Sequence, residues 1–455
     1  MKVCYMLNAG ENKSVKLSSV QIIVLFYAGA VLISCILLSL PIALKPGVTW
    51  TFIDLLFTSV SAVSVTGLTV VNTAETFSGP GVFILAFILQ FGGIGIMTLG
   101  TFIWVILGKK ISFRDRQLMM IDHNRSAFSG LVRLMLQILT LFLIIEAIGT
   151  VILGIYFLNY FPTWHEAFIQ GFFGSVSAAT NAGFDITGES LEPFANDYFV
   201  QTINILLLIF GAIGFPVLIE VKEMLTKPKN EKFRFSLFTK ITTITFFSLA
   251  FIGTVLIYVF DKNHFFAGKT WHETVFYALF QSVTTRNGGL ATMDVSEFTE
   301  ATQMVQSALM FIGASPSSVG GGIRTTTFAI AVLAIISFAR GRQSVKLFGR
   351  ELHMEDITKS FIVVSVAIML WGSAIILLTH LESFPLMAVV YEVSSAFGTT
   401  GLSMGITSEL STAGKLIIIM LMFIGRIGIF SFLFLIRGTT AVEPFHYPKE
   451  RVIIG

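Results

Sequence analysis

The sequence predicts an all-α integral membrane protein made of four tandem helix–pore-loop–helix repeats in pseudo-fourfold symmetry. Three observations predict it. Hydrophobic residues make up 54% of the 455-residue chain and charged residues 13%, against roughly 25% charged in a soluble domain. Mean hydropathy is +0.81. One short pattern also occurs four times: a semi-apolar helical stretch, a turn ending in glycine, then a long apolar helix. The turns read Ser64-Val65-Thr66-Gly67, Thr180-Asn181-Ala182-Gly183, Thr285-Arg286-Asn287-Gly288 and Gly398-Thr399-Thr400-Gly401.

The apolar runs come first. They lie near 19–43, 82–107, 134–158, 200–221, 241–260, 328–338, 361–379 and 416–436, and most are long enough to cross about 30 Å of hydrocarbon as helix. The first has no small-residue cleavage site and reads as a signal anchor. Cys4 and Cys35 form neither a disulfide framework nor a CxxC metal site. With both termini placed inside, basic residues gather at 2–17, 109–133, 222–240, 324–359 and 437–451. Only Lys45, Lys262, Lys269 and Lys415 land on the outer loops, a positive-inside asymmetry that predicts a multi-pass plasma-membrane protein with cytoplasmic termini. The outer side is acidic, carrying among others Glu75, Asp185, Glu189, Glu192, Asp197, Asp261, Asp294, Glu297 and Glu382. Such a surface steers cations or is simply a solvated loop face.

The repeats then set the organisation. The first two share Ser-Val-Ser-Ala, at 59–62 and 175–178. A serine stands six residues before each turn glycine: Ser61, Ser177, Ser282 and Ser395. Half-helices near 52–64, 166–180, 272–284 and 386–397 are too short to span a bilayer. Non-helical backbone at that depth is tolerated only where protein buries it or water lines it, a condition four hairpins around one axis can meet together. Their C-termini would turn partial negative charge inward. The chain divides into a cytoplasmic N-terminus (1–18), repeats at 19–110, 129–226, 236–340 and 357–437, and a cytoplasmic tail (438–455). One glycine turn alone would read as an ordinary helix connection; four in register favour a ring.

The third inner helix carries Gly313-Ala314-Ser315-Pro316-Ser317-Ser318-Val319-Gly320-Gly321-Gly322. Each glycine costs a helix about 1 kcal/mol and the proline about 3, so the helix is expected to break at 313–322. Arg426 stands at the same level of the fourth inner helix, a costly place for charge, with the carbonyls of the 313–322 loop as expected partners. Arg286, beside the third turn, is expected to point away from the axis. Glu146 reads as a polar link between helices, with proton coupling as the alternative. Trp164-His165-Glu166 and Trp271-His272-Glu273 are expected to cap and anchor two half-helices. No HxxxH or HExxH pair, Walker motif or soluble domain is present, which leaves no sign of a resident cofactor, nucleic-acid binding or hydrolysis in this chain.

These residues resemble the Trk/Ktr/HKT superfamily of cation transporters, the bacterial Ktr membrane subunit most closely, over about residues 19–455. The most specific stretches are Val65–Leu68, Asn181–Phe184, Ala396–Leu402 and Met422–Gly428. The resemblance implies a single-chain counterpart of a K+-channel tetramer, with Gly67, Gly183, Gly288 and Gly401 as filter glycines. Glycine at all four positions implies K+ held by backbone carbonyls; Gly289, directly after Gly288, is a departure from the pattern. The 313–322 loop with Arg426 is then the gate. Further implications are a homodimer, a cytosolic ring of RCK-type regulatory subunits that bind ATP or ADP (cyclic di-AMP in some bacteria), and stimulation by Na+. The alternatives are a Na+-preferring or K+/Na+ cotransporting relative and, far behind, a membrane-embedded enzyme.

Overall fold

The computed structural model describes residues 19–95, 131–228, 232–436 and the isolated residues 447, 448, 450 and 453. Much of the basic segment at 109–133 and nearly all of the C-terminal tail lie outside this range. Each repeat contains an outer helix, a pore helix and an inner helix. The outer helices are Ser19–Leu38, Leu131–Phe157, Leu237–Asp261 and Met354–Leu381. The pore helices are Phe52–Ser64, Trp164–Ala179, Trp271–Thr284 and Leu386–Gly398. The inner helices start at Gly79–Ile94, Tyr198–Ala212, Glu300–Ile312 and Thr412–Ile427. The outer helices are the four that are long and apolar enough to cross a membrane among the described residues.

The pore helices are much shorter than the outer helices and carry Ser and Thr mostly in their C-terminal halves, yet they are the most buried. Every residue from Phe57 to Ser64 is buried, and so is every residue from Ala388 to Gly398. The apolar outer helices face outward, with Phe251, Met369 and Ile376 largely exposed. That inversion follows from a solvent as apolar as leucine: lipid takes the hydrocarbon side chains, and polar groups turn inward to find partners. Ser175 Oγ donates to the Glu146 carbonyl of its outer helix at 2.9 Å, and Ser282 Oγ to that of Ala250 at 2.6 Å. In the fourth repeat Trp371 Nε1 donates to Ser394 Oγ at 2.9 Å.

Threonine starts three pore helices. Thr51, Thr163 and Thr270 each accept from the backbone N–H three residues on, and Thr270 completes a capping box with Glu273. The expected Trp-His-Glu caps are therefore corrected: threonine caps, glutamate supports it once, and Trp164 and Trp271 lie exposed at the rim.

Each inner helix packs on the pore helix of the following repeat, first on second, second on third, third on fourth. The fourth inner helix packs on the first pore helix and closes the circle. An ion pair seals that seam, Lys415 Nζ to Asp54 Oδ1 at 2.9 Å, both side chains mostly buried.

The expected continuous spans at 200–221 and 416–436 are not continuous. Tyr198–Ala212 meets Phe215–Thr226 at 105°, and Thr412–Ile427 meets Ile429–Ile436 at 103°. Gly214 (φ 100°) and Gly428 (φ 84°) make the corners, and Gly95 (φ 94°) ends the first inner helix in the same way. Only glycine reaches these angles without a Cβ penalty. The third repeat goes further: nothing between Gly313 and Arg324 is helical, and helix resumes at Thr325–Ala339. A two-residue hairpin, Lys346–Leu347 with Arg350–Glu351, precedes the fourth repeat.

Candidate functional site

The four pore helices end alike. Val65 (φ 56°), Asn181 (φ 52°), Asn287 (φ 88°) and Thr399 (φ 50°) are all left-handed. A non-glycine residue in that region costs roughly 1–2 kcal/mol, most for β-branched Val65 and Thr399. In three quarters a shared pair of bonds holds the turn. Thr66, Ala182 and Thr400 donate their N–H five residues back, to Ser61, Ser177 and Ser395, at 2.9, 2.7 and 2.8 Å. These are helix C-caps of the Schellman type with glycine's usual place taken by a side-chain-bearing residue. Four strained caps at one level mark where the fold spends stability on geometry.

Two residues beyond each strained residue stands a glycine with positive φ: Gly67 (92°), Gly183 (68°), Gly289 (71°) and Gly401 (101°). A Cβ on Gly67 would lie 2.5 Å from the Ala182 carbonyl oxygen. One on Gly183 would lie 3.4 Å from that of Gly288, one on Gly289 2.3 Å from that of Thr400, and one on Gly401 2.3 Å from that of Thr66. Each glycine thus abuts the next repeat's turn, and the fourth returns to the first. The four turns form one closed ring of main chain, crowded by the carbonyl oxygens of Thr66, Ala182, Gly288 and Thr400.

This ring corrects the third quarter. Gly289, not Gly288, holds the ring position. Gly288 instead faces Thr284 and Leu208, where a Cβ would lie 2.7 Å from Thr284 Oγ1. A hydroxyl bond repeats the new register: Thr284 Oγ1 donates to the Leu290 carbonyl at 2.6 Å, as Ser177 Oγ donates to that of Phe184 at 2.5 Å. Ser61 and Ser395 hold their own glycines, accepting from Gly67 N at 3.2 Å and Gly401 N at 2.9 Å. Ser282 is not part of this set, since it bonds its outer helix.

The 313–322 loop lies directly against the ring. Gly321 N donates to Asn287 Oδ1 at 2.7 Å, and Asn287 Nδ2 donates to the Thr399 carbonyl. One asparagine therefore connects the loop to two quarters of the ring. The loop also joins the corner of the second inner helix: Ser315 N to the Ala212 carbonyl (3.0 Å), Val319 N to that of Gly211 (3.3 Å), and Phe215 N to that of Ser317 (2.8 Å).

Three arginines serve this level. Arg286 is fully buried, and its guanidinium bonds the broken third inner helix rather than the pore helix or an acidic neighbour. Nη1 donates to the Leu309 carbonyl at 3.0 Å and Nη2 to that of Gly313. A cation at a helix C-terminus satisfies carbonyls left without partners. Arg426 is corrected. Its bond goes to the Gly92 carbonyl, at the end of the first inner helix, and not to the loop. The arginine that grips the middle of the loop is Arg324, through the carbonyls of Gly320 and, at 3.4 Å, Ser315. Glu146 forms the expected link, accepting from Gln90 Nε2 at 2.5 Å.

Residues 20–439 match the family model described as TrkH, cation transport protein. The chain belongs to the TrkH family. Ktr system potassium uptake protein D of Bacillus subtilis (strain 168) is 60% identical over 96% of this chain and 98% of its own length. Ktr system potassium uptake protein B of the same organism is 34% identical over 97% and 98%. Potassium/sodium uptake protein NtpJ of Enterococcus hirae is 33% identical over the same shares. The crystal structure of the potassium transporter TrkH from Vibrio parahaemolyticus superposes with a TM-score of 0.71 at 18% identity, over 94% of this chain and 86% of that one. At that identity the likeness establishes the fold.

In this TrkH-family chain the sequence reading missed Glu392. It is fully buried on the fourth pore helix, nine residues before Gly401. It accepts from Ser403 Oγ at 2.7 Å and Thr407 Oγ1 at 2.5 Å. The carboxylate thus binds the helix entering the turn to the segment leaving it. Its signal in the sequence is a lone acid in an apolar pore helix, with two hydroxyl residues just past the glycine. Glu392→Ala removes the shared acceptor and leaves the two hydroxyls only their mutual contact at 2.9 Å, a loss of about 1–3 kcal/mol for a buried group. Ion discrimination should fall with the protein still in the membrane, and Glu392→Gln should retain most of it. Competition of 86Rb+ uptake by Na+ checks this.

Proposed function

We propose that this chain carries K+ into the cell as the membrane subunit of a Ktr-type system. K+ gives up water to the carbonyl oxygens of Thr66, Ala182, Gly288 and Thr400 at the filter, passes the 313–322 loop, and leaves on the cytoplasmic side. The closed succession of Gly67, Gly183, Gly289 and Gly401, each against the next repeat's carbonyl, is the observation that carries this reading. Backbone oxygens replacing a hydration shell are how K+-selective filters work. The relatives' names as potassium uptake proteins support the ion.

Uptake needs no hydrolysis in this chain. At 100 mV each charge gains about 2.3 kcal/mol, roughly 50-fold accumulation. The termini sit inside, and the basic inner segments dock a cytosolic RCK-type ring that binds ATP or ADP, with two membrane subunits side by side. The loop is the gate, held by Asn287 and Arg324. The relative named for both potassium and sodium supports a role for Na+ as activator. K+ uptake into proteoliposomes, with and without Na+, is the test. Uptake of K+ and 86Rb+ in preference to Na+ is expected; equal uptake of Na+ favours the cotransporting alternative, and none at all removes the proposal.

The outer mouth adds a pH dependence. Much of the outer acidity is bound up in structure: Asp261 is buried against Thr299, and Asp197 takes the Tyr156 and Tyr160 hydroxyls. Glu192 remains, and partial burial first, then Asp294, Glu189 and Glu297, push its carboxyl above the usual range. It takes a proton earlier than an ordinary glutamate as outside pH falls, weakening the pull on cations. Uptake should decline as pH drops toward the carboxylate range, and Glu192→Gln should flatten that part of the profile, read as initial 86Rb+ uptake in cells.

A further inference from the structure

Beneath the loop, between the outer helix of the first repeat and the corner of the fourth inner helix, lies a polar cavity of about 80 Å³. Its lining includes Tyr27, Ser317, Ser318, Arg324, Arg426 and Ser431. Two guanidinium groups meet there, and no carboxylate lines it among the described residues. Arg426 is 8% exposed and donates one N–H to Gly92, and its buried Nε has no hydrogen-bond partner among the described residues.

We propose that this cavity binds a small inorganic anion, chloride in the cell, and that the anion holds the gate closed. A buried charge with no opposite charge beside it usually relieves itself by changing protonation. Arginine has no such route, because its proton is not given up in proteins. The remaining relief is a counter-ion. A space of about 80 Å³ is large enough for a small ion in place of water. The orphaned Nε supplies a donor and the Ser431 hydroxyl also lines the cavity, whereas the Ser318 hydroxyl already donates to the Ser315 carbonyl at 2.6 Å.

The gating consequence follows from which elements the two arginines belong to. Arg324 grips the loop through Gly320 and Ser315; Arg426 sits on the fourth inner helix, bonded to the first. An anion between them joins the loop to the bundle. Moving the loop aside parts the arginines and gives up the shared anion, so the anion favours the closed form. This rests on the loop being the gate of the proposed K+ pathway; the binding test below does not.

Crystals of the full chain in bromide should show an anomalous peak between Arg324 and Arg426. Arg426→Gln should abolish it, and so should Ser431→Leu, which fills the cavity and leaves both guanidinium groups in place. In proteoliposomes at constant ionic strength, replacing chloride with gluconate on both faces should raise 86Rb+ flux about fivefold, the lower end of typical coupling between sites. Both variants should remove that difference. No bromide peak overturns the site. A peak with equal flux in the two salts overturns the gating role. Absence of flux in every salt counts against the K+ pathway, and the bromide peak still decides the site.

Discussion

Gly289→Ala should abolish K+ uptake, whereas Gly288→Ala should leave a weaker but still K+-selective protein. At Gly289 the backbone is left-handed (φ 71°), and a Cβ would sit 2.3 Å from the Thr400 carbonyl oxygen and 2.8 Å from the Gly183 Cα. The obstacle on both sides is main chain of other repeats, which cannot rotate out of the way as a side chain can. The conformational term alone is roughly 1–2 kcal/mol. With the collision, a penalty of about 3 kcal/mol at the ring means roughly a 100-fold loss. At Gly288 the methyl points away from the other turns, toward Leu208 Cδ2 at 2.9 Å and its own pore helix, with Thr284 Oγ1 at 2.7 Å and Thr284 Cα at 2.9 Å. That substitution taxes packing, so protein yield should drop before selectivity does. Initial 86Rb+ uptake with Na+ competition, normalised to protein in the membrane, separates the two. Loss of selectivity in Gly288→Ala with a tolerant Gly289→Ala would return the filter position to Gly288.

Shortening the loop by deleting residues within 314–321 should raise K+ flux and blunt its regulation. In this structure the loop is not slack. Four backbone groups tie it down: Ser315 N, Val319 N and the Ser317 carbonyl to the second inner helix, and Gly321 N to Asn287. At about 0.5–1.5 kcal/mol for each hydrogen bond, their joint loss shifts the closed form by several kcal/mol, and each 1.4 kcal/mol is tenfold. A rise of about tenfold or more is therefore expected. Asn287→Ala offers a finer version, since it frees Gly321 without removing any of the loop, but it also releases the Thr399 carbonyl. It should raise flux and lower selectivity together, where the deletion raises flux alone. Flux into proteoliposomes that is unchanged by the deletion would show the loop to be packing only.

The sequence by itself determined the four-unit plan. The polar, short pore helices, their glycine turns and the Gly-Ser-Pro run at 313–322 are statements about local backbone and about membrane as solvent, and both act on a few residues at a time. A half-helix too short to span, followed by a turn no lipid can solvate, has to meet its copies somewhere. The need of Arg286 for a partner and the Glu146 link were legible for the same reason: a polar group in an apolar helix must find a partner nearby.

What only the tertiary structure decided lies where local chemistry offers two equal answers. Gly288 and Gly289 are the same residue type side by side, and the ring contact with Thr400 and Gly183 chooses between them. Gly95, Gly214 and Gly428 are single glycines in apolar runs, which a helix tolerates for about 1 kcal/mol each; packing around a common axis turns them into corners. Arg426 sees carbonyls on every side, and the closing of the circle, which brings the fourth repeat against the first, assigns it Gly92 and leaves the middle of the loop to Arg324. Glu392 counted as one acid among many until its two hydroxyl partners came round the turn. In each case the deciding contact joins residues far apart in the chain, so its energy exists only once four quarters have assembled.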